Sequence, residues 1–222
     1  MEKYQQEFVE FMAESGALQF GQFTLKSGRL SPYFINTAVF HDGKRCAQLG
    51  YFFAKKITAT LGEGFDVVFG PAYKGIPLAV ATTLALWRDF QINKPWAFDR
   101  KEEKTHGDQG LLVGHEIKDN DRVILLDDVF TAGAAKEEAI EKIRGQAQVR
   151  FVGVFITIDR QEKTLAGKSA IADFVERYRI PVHTIVTVRE AFDHLQGRTV
   201  NGKVYVDEAS YQAFKEYQKQ HG

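Results

Sequence analysis

The 222-residue sequence predicts a doubly wound, mainly parallel α/β sheet with an N-terminal α+β hood. Three observations lead there. Strand-like and helix-like segments alternate along the chain, which is the pattern of βαβ units rather than of a sandwich or a helical bundle. Val123 to Leu126 is a β-branched and leucine run between polar neighbours, as expected of a strand buried on both faces of a parallel sheet. No linker rich in Pro, Gly or Ser divides the chain, and 44% hydrophobic with 26% charged residues is ordinary for a globular protein. One domain over 1–222 is therefore expected, with a hood segment at 1–62 and a core with a C-terminal helix at 63–222.

The elements follow in order. Met1 to Ser15 reads as an amphipathic helix using Tyr4, Phe8, Phe11 and Met12, Leu18 to Asn36 as short strands, and Gly43 to Leu61 as a second helix. In the core, Phe65 to Phe69 is a strand, Gly70 to Gly75 a loop, and Pro77 to about Trp87 an apolar helix. Trp96 to Phe98 is a weaker strand, followed by a polar loop from Arg100 to Gly110. After the Val123 strand, a helix begins at Ala135 and ends at Gly145. It places Ala139, Ile140 and Ile143 on one face and Lys136, Glu137, Glu138, Glu141, Lys142 and Arg144 on the others. A strand at Phe151 to Ile158, a helix near Ser169 to Tyr178, a strand at Val182 to Val188 and a surface helix within Val206 to Gln220 complete the series.

Composition excludes several functions. Lys plus Arg equal Asp plus Glu at 29 each, so no net charge favours nucleic acid or an anionic membrane as a partner. The single cysteine, Cys46, rules out an internal disulfide and a cysteine-based zinc site; it fits a reducing compartment and reads as a small buried residue. The first residues lack the basic and apolar parts of a signal peptide, and no apolar run approaches a membrane span. A cytoplasmic location is expected. His41, His115, His183, His194 and His221 stand in no cluster and read as structural or surface residues.

The chemistry concentrates at Val123 to Ala135, where a buried strand delivers Asp127 and Asp128 into a loop of small and hydroxyl residues that leads to a helix. Free N–H groups and the helix dipole favour an anion there, Gly133 and three alanines allow close approach, and Thr131 adds a hydroxyl. The adjacent carboxylates repel phosphate, so they need hydroxyls to accept from or a metal ion to neutralise them. A phosphorylated sugar carrying a divalent cation satisfies every group. Neither G-x-G-x-x-G nor G-x-x-x-x-G-K-[ST] occurs in the chain.

Four further motifs accompany it. Leu25-Lys26-Ser27-Gly28 with Ser31-Pro32-Tyr33-Phe34-Ile35-Asn36 is by itself only a hairpin, with a lysine at a glycine turn and an aromatic on the next strand. Gly70-Pro71-Ala72-Tyr73-Lys74-Gly75-Ile76-Pro77 suits a loop whose N–H groups face a pyrophosphate, with Lys74 supplying charge. Arg100 to Gly110 has no apolar anchor and carries Arg100, Lys101, Lys104 and His106, which could converge on a polyanion when the loop closes. Asp159-Arg160-Gln161-Glu162 closes a strand, so the Arg160 fork should emerge on the same edge as Asp127 and suits a carboxylate.

The acidic stretch resembles the phosphoribosyl pyrophosphate (PRPP) signature of the type I phosphoribosyltransferases. With the other four motifs in the same order, the chain resembles the orotate phosphoribosyltransferases over essentially its full length. The resemblance implies a type I phosphoribosyltransferase sheet. It also implies transfer of the 5-phosphoribosyl group from PRPP to N1 of orotate, giving orotidine 5′-monophosphate and diphosphate in pyrimidine biosynthesis. Asp127 and Asp128 would contact the ribose hydroxyls, and the loop of Val129, Phe130, Thr131, Ala132, Gly133, Ala134 and Ala135 would wrap the 5′-phosphate. Lys26, Tyr73, Lys74, Arg100, Lys101, Lys104 and His106 would serve the pyrophosphate. Catalysis would rest on Lys26, Arg100, Lys101, Lys104, His106, Asp127 and Asp128, and Phe34, Ile35, Thr131 and Arg160 would contact orotate.

The resemblance further implies Mg²⁺ and a homodimer whose Arg100 to Gly110 loop crosses into the neighbouring subunit's site. Two aspartates are too few for a metal cage, so the metal is expected to arrive mostly on PRPP. The chain departs from the family pattern at Ile35, where a second Phe is usual, at Ala134, where many relatives have Thr, and at Ile158, where Leu is usual. Two other readings stay open: a phosphoribosyltransferase for another base such as a purine, and a non-catalytic PRPP-sensing regulator on the same fold. The regulator should carry a basic nucleic-acid surface or an added DNA-binding module.

Overall fold

Alternation of side chains across the central strands decides the layering. The computed structural model describes residues 1–25, 28–104, 110–130, 134–163 and 167–222, with Glu103 and Lys104 described in their backbone alone. Its main sheet has six strands: β3 (Val67–Phe69), β4 (Trp96–Lys104), β5 (Gly110–Gly114), β6 (Arg122–Leu126), β7 (Arg150–Asp159) and β8 (Val182–Thr187). Their spatial order is β5-β4-β3-β6-β7-β8, all parallel except β5, which runs antiparallel to β4 at the edge. Val68, Ile124, Leu126, Phe155 and Ile158 enter one core, while Val67, Phe69, Val123, Leu125, Val154 and Ile156 enter another. Helices must therefore cover both faces, because neighbouring residues of a strand point to opposite sides.

The first face is covered by α1 (Lys3–Glu14), α2 (Gly43–Leu61), α3 (Gly75–Phe90), α6 (Val188–Leu195) and α7 (Glu208–His221). The second is covered by α4 (Ala134–Arg144) and α5 (Ala170–Tyr178). The expected Tyr4, Phe8, Phe11 and Met12 stripe is buried, with the Phe8 ring edge-on to Phe52 at 5.1 Å. Helices α2 and α3 meet at Gly50, where an added Cβ would lie 2.5 Å from the Ala81 carbonyl oxygen. Gly50→Ala would gain helix propensity of about 1 kcal/mol but force the helices apart, and overpacking of this kind costs about 1–3 kcal/mol. The clash is with backbone, so overpacking wins: a lower melting temperature is expected, checked by calorimetry.

The hood hairpin pairs β1 (Leu18–Thr24) with β2 (Leu30–Ile35), antiparallel, placing Phe20 opposite Tyr33. Its turn is closed by the Leu25 N–H on the Arg29 carbonyl at 2.8 Å, with Gly28 at φ +79°. A short 3-10 turn at Thr37–Val39 leads into α2, and β9 (Thr199–Val200) pairs with β10 (Lys203–Val204) before α7.

Several expectations are corrected. The weak strand at Trp96 continues to Lys104, so Arg100, Lys101 and Lys104 belong to β4 rather than to a loop. Strand β5 and helix α6 were absent from the sequence reading. Gly110–Gly114 is too short and glycine-bounded to show a period, and α6 starts on the residue after β8 with no intervening turn. A signal for α6 was present in the Thr187/Glu190 capping box, whose two reciprocal hydrogen bonds are both formed. Cys46 is half-buried rather than buried, and burial pushes its thiol pKa upward. The C-terminal helix is more than a surface cover, since Phe214 and Tyr217 enter the core. No helix of the described residues is long and apolar enough to cross a membrane.

Candidate active site

Parallel pairing brings the carboxyl ends of β3, β6 and β7 to one edge, where three of the motifs meet. The Asp127 N–H donates to the Phe155 carbonyl at 3.0 Å, and the Asp128 carbonyl accepts from the Thr157 N–H at 3.0 Å. Both aspartates are thus pinned to β7 while their side chains face a cleft of about 310 Å³ lined by Ala72, Tyr73, Lys74, Val129, Ala134 and Lys136 among others.

Each carboxylate has its own cation. Lys136 Nζ pairs with Asp127 Oδ2, donates to the Val129 carbonyl at 3.2 Å and lies 4.7 Å above the Phe130 ring. Lys74 Nζ donates to Asp128 Oδ2 at 2.6 Å, and the Thr37 hydroxyl donates to the same oxygen at 2.5 Å. Burial pushes the Asp127 carboxyl pKa upward, with the charge of Asp128 adding to the effect against Lys136. Burial acts upward on Asp128 too, but the hydrogen bonds from Lys74 and Thr37 outweigh it and hold that carboxyl below its ordinary value. Lys136 corrects the sequence reading, which placed it on a charged helix flank; it is almost fully buried. Phe130 turns its side chain into the second core, edge-on to Phe174 at 5.3 Å, so only its backbone can meet a ligand.

The Gly70-to-Gly75 loop is built for close approach. A Cβ on Gly70 would fall 2.0 Å from the Gly75 carbonyl oxygen, so the loop folds back on itself only with glycine there. The loop is tied to β4 by Asp99, a buried carboxylate that accepts from the Ala72 N–H at 2.7 Å and pairs with Lys142 at 2.8 Å. Lys142 also donates to the Arg100 carbonyl and to Glu138. Tyr73 stands exposed beside the cleft.

In the middle of β4, Arg100 donates to the Gly110 carbonyl at 3.1 Å and Lys101 pairs with Glu138 at 2.9 Å. Neither is among the described residues lining the cleft. Lys26, His106, Thr131, Ala132, Gly133 and the side chain of Lys104 lie outside the described residues.

Arg160 emerges at the end of β7, on the same edge as Asp127, as its strand order requires. Its Nε and Nη2 donate to Glu162 Oε1 at 3.1 and 2.8 Å, and the guanidinium lies 5.3 Å from the Tyr33 ring. The same Glu162 oxygen accepts from Tyr33 at 2.6 Å and from Tyr217 of α7 at 2.9 Å. Burial opposes the charged guanidinium, but Tyr33 and Glu162 raise the Arg160 pKa further still. Burial and Glu162 likewise push the Tyr33 phenol well above its ordinary range.

Phe34, 38% exposed, stacks on Phe23 at 5.6 Å, on the face of β2 opposite its buried neighbour Tyr33. Ile35 packs against the first core. The structure therefore gathers Asp127, Asp128, Tyr73, Lys74, Val129, Ala134 and Ala135 around one cleft, places Arg160 on the adjoining strand end and leaves Phe34 on the other side of its strand. Sequence reasoning did not single out Thr37, Asp99, Lys136, Lys142 or Tyr217. Tyr33 and Glu162 were within its motifs, with no role assigned.

The comparisons agree with this geometry. The family model described as phosphoribosyl transferase domain matches residues 37–178. The chain is 43% identical to an orotate phosphoribosyltransferase of Lachnoclostridium phytofermentans, covering 100% of this chain and 99% of the relative. It is 46% identical to that of Bifidobacterium animalis subsp. lactis, covering 97% and 96%. The crystal structure of the Francisella tularensis orotate phosphoribosyltransferase superposes with a TM-score of 0.83 at 37% identity, covering 97% of this chain and 99% of that one. The paired aspartates at a strand end, the glycine loop beside them and this full-length likeness agree: the chain belongs to the phosphoribosyltransferase family and, within it, to the orotate phosphoribosyltransferases.

Proposed function

We propose that the protein transfers the 5-phosphoribosyl group of PRPP to N1 of orotate, giving orotidine 5′-monophosphate and diphosphate, with Mg²⁺ entering on PRPP. The observation that carries the reading is the neutralised pair Asp127 and Asp128 at the end of β6, facing the Lys74 loop across one cleft.

Departure of diphosphate leaves cationic character on the ribose, so the protein's work is to hold the sugar, neutralise the leaving group and shield the cation from water. Asp127 and Asp128 accept from the ribose hydroxyls. The N–H groups opening α4, with Thr131 to Ala135, hold the 5′-phosphate. Lys26, Tyr73, Lys74, Arg100, Lys101, Lys104 and His106 serve the diphosphate, and Arg160 with Thr131 receives the base, next to the strand that carries Phe34 and Ile35. Mg²⁺, when bound, spreads the negative charge of the diphosphate. Two carboxylates fit an ion that keeps most of its ligands from substrate and water, and no group of three or more His, Cys, Asp or Glu among the described residues could hold a metal. No covalent enzyme nucleophile is required.

The reading includes a cytoplasmic homodimer in which the segment from Arg100 to Gly110, its first residues in β4, serves the neighbouring site. Exposed Leu84 and Trp87 on α3 supply apolar surface for a second copy. Lys104→Ala is expected to lower turnover by roughly two orders of magnitude, the scale for one preorganised transition-state donor, with thermal unfolding unchanged. Steady-state kinetics beside a melting curve check this.

A spectrophotometric assay of orotate loss with PRPP and Mg²⁺, run with hypoxanthine and uracil as competitors, tests the whole reading. Consumption of orotate unaffected by hypoxanthine supports it. Preference for the purine, or PRPP binding without turnover, would replace it with one of the two other readings.

A further inference from the structure

We propose that the two aspartates hold different kinds of counter-ion: Lys136 is the fixed cation of Asp127, whereas Lys74 is an exchangeable cation that Asp128 yields when PRPP binds. The inference rests on the reading that the cleft takes PRPP.

Exposure separates the two lysines. The Lys136 side chain is 3% exposed and that of Lys74 65%. Lys136 Nζ is enclosed by the Asp127 carboxylate, the Val129 carbonyl and the Phe130 ring. Lys74 Nζ touches Asp128 and the Thr37 hydroxyl, at 2.6 and 3.2 Å, from the wall of an open cleft. Separating Lys136 from Asp127 would leave two nearly buried charges without partners, which is strongly unfavourable. Separating Lys74 from Asp128 releases an ammonium into water or onto a polyanion, at little cost.

The four groups sum to zero charge before a ligand arrives. A diphosphate at the Gly70-to-Gly75 loop draws Lys74 toward itself, and Asp128 is then the carboxylate free to receive a ribose hydroxyl or a cation carried by the substrate. Asp127 keeps Lys136. Its Oδ1 also accepts from the Asp128 N–H at 2.8 Å, so this carboxylate is locked in orientation before the sugar binds. Lys136 is a positioning residue in this scheme: it touches no reacting atom and fixes the acceptor that does.

Lys136→Met keeps the stem and removes the charge, and Lys136→Arg restores a cation. The KM for PRPP is expected to rise at least about tenfold in Lys136→Met, with kcat and the KM for orotate changed by less than about threefold, and Lys136→Arg should recover most of the loss. On the unaltered protein, an amine-reactive label read by mass spectrometry should mark Lys74 in the free state and not with PRPP bound, and should miss Lys136 in both. A folded Lys136→Met with the wild-type KM for PRPP overturns the proposal. So does a Lys136 that becomes reactive when PRPP binds, and this second measurement decides the matter if the Met variant does not fold. An unaltered protein that binds no PRPP would instead remove the functional reading and this inference with it.

Discussion

Replacing Arg160 with Met is expected to lower kcat/KM for orotate by roughly three orders of magnitude, while the KM for PRPP stays within about twofold. The estimate has two parts. A desolvated charge pair cut at one partner costs about 2–5 kcal/mol, and about 4 kcal/mol corresponds to the stated factor. The geometry puts this variant in the upper part of the range, because Glu162 sits within 2.8 Å of the guanidinium and, once Arg160 is gone, would face the substrate's carboxylate with only the more distant Arg29, at 3.5 Å, as counter-charge. Uracil, which has no carboxylate, should be almost indifferent to the change. Measuring both bases separates recognition from general damage: the orotate-to-uracil preference should collapse, and an unchanged preference would take Arg160 out of the base site.

The largest loss of stability is expected from Lys142→Met. Asp99 is buried, and its side-chain oxygens hold both the Lys142 ammonium and the Ala72 N–H. Removing the lysine leaves a buried carboxylate without its counter-charge, a defect worth about 3–5 kcal/mol. At about 2–4 °C per kcal/mol for a chain of this size, the melting temperature should fall by roughly 6–20 °C. Adding Asp99→Asn should restore most of it, since the amide oxygen can still accept from Ala72 while the unpaired charge is gone. Scanning calorimetry of the single and double variants checks this, and equal melting temperatures for wild type and Lys142→Met would refute it.

The same pair sets a sign for alkaline pH. Burial pulls the Lys142 pKa down, but the hydrogen bonds to Asp99 and Glu138 win and hold it above the ordinary lysine value. A group raised in the folded state contributes fully below its unfolded pKa, and the contribution disappears as pH climbs through the folded one. This part of the stability is therefore present at neutral pH and fades only in strong alkali.

What could be read from the residues follows from what each was required to do. Strands β6 and β7 are buried on both faces over most of their length, so they appear as apolar runs that no loop would tolerate. The edge strand β5 has one partner and five residues, two of them glycines, and leaves no periodic trace. Asp127 and Asp128 were legible because two adjacent carboxylates at a strand end have no structural excuse. Lys136 was not, because a charge at that helical position belongs by periodicity to the solvent flank. Only the return of α4 over the strand end brings its ammonium down onto Asp127. Thr37 reaches Asp128 across 91 residues, a relation that no local pattern encodes. Glu162 lies two residues after Arg160 in an irregular stretch after β7, and its role is seen once Tyr33 and Tyr217 converge on it.

That convergence bears on the order in which the two halves of the site assemble. Pairing Lys136 with Asp127 closes nine residues of chain, whereas bringing Tyr33 to Glu162 closes 129. The entropy of closing a flexible loop grows with the logarithm of its length, so the second contact costs about 2.4 kcal/mol more than the first before any packing repays it. The sugar half of the site can form as a local event of one strand, one loop and one helix. The half around Arg160 waits for the hairpin near residue 30 and the last helix to find each other, so the arginine proposed to meet the base is the later of the two to be set in place.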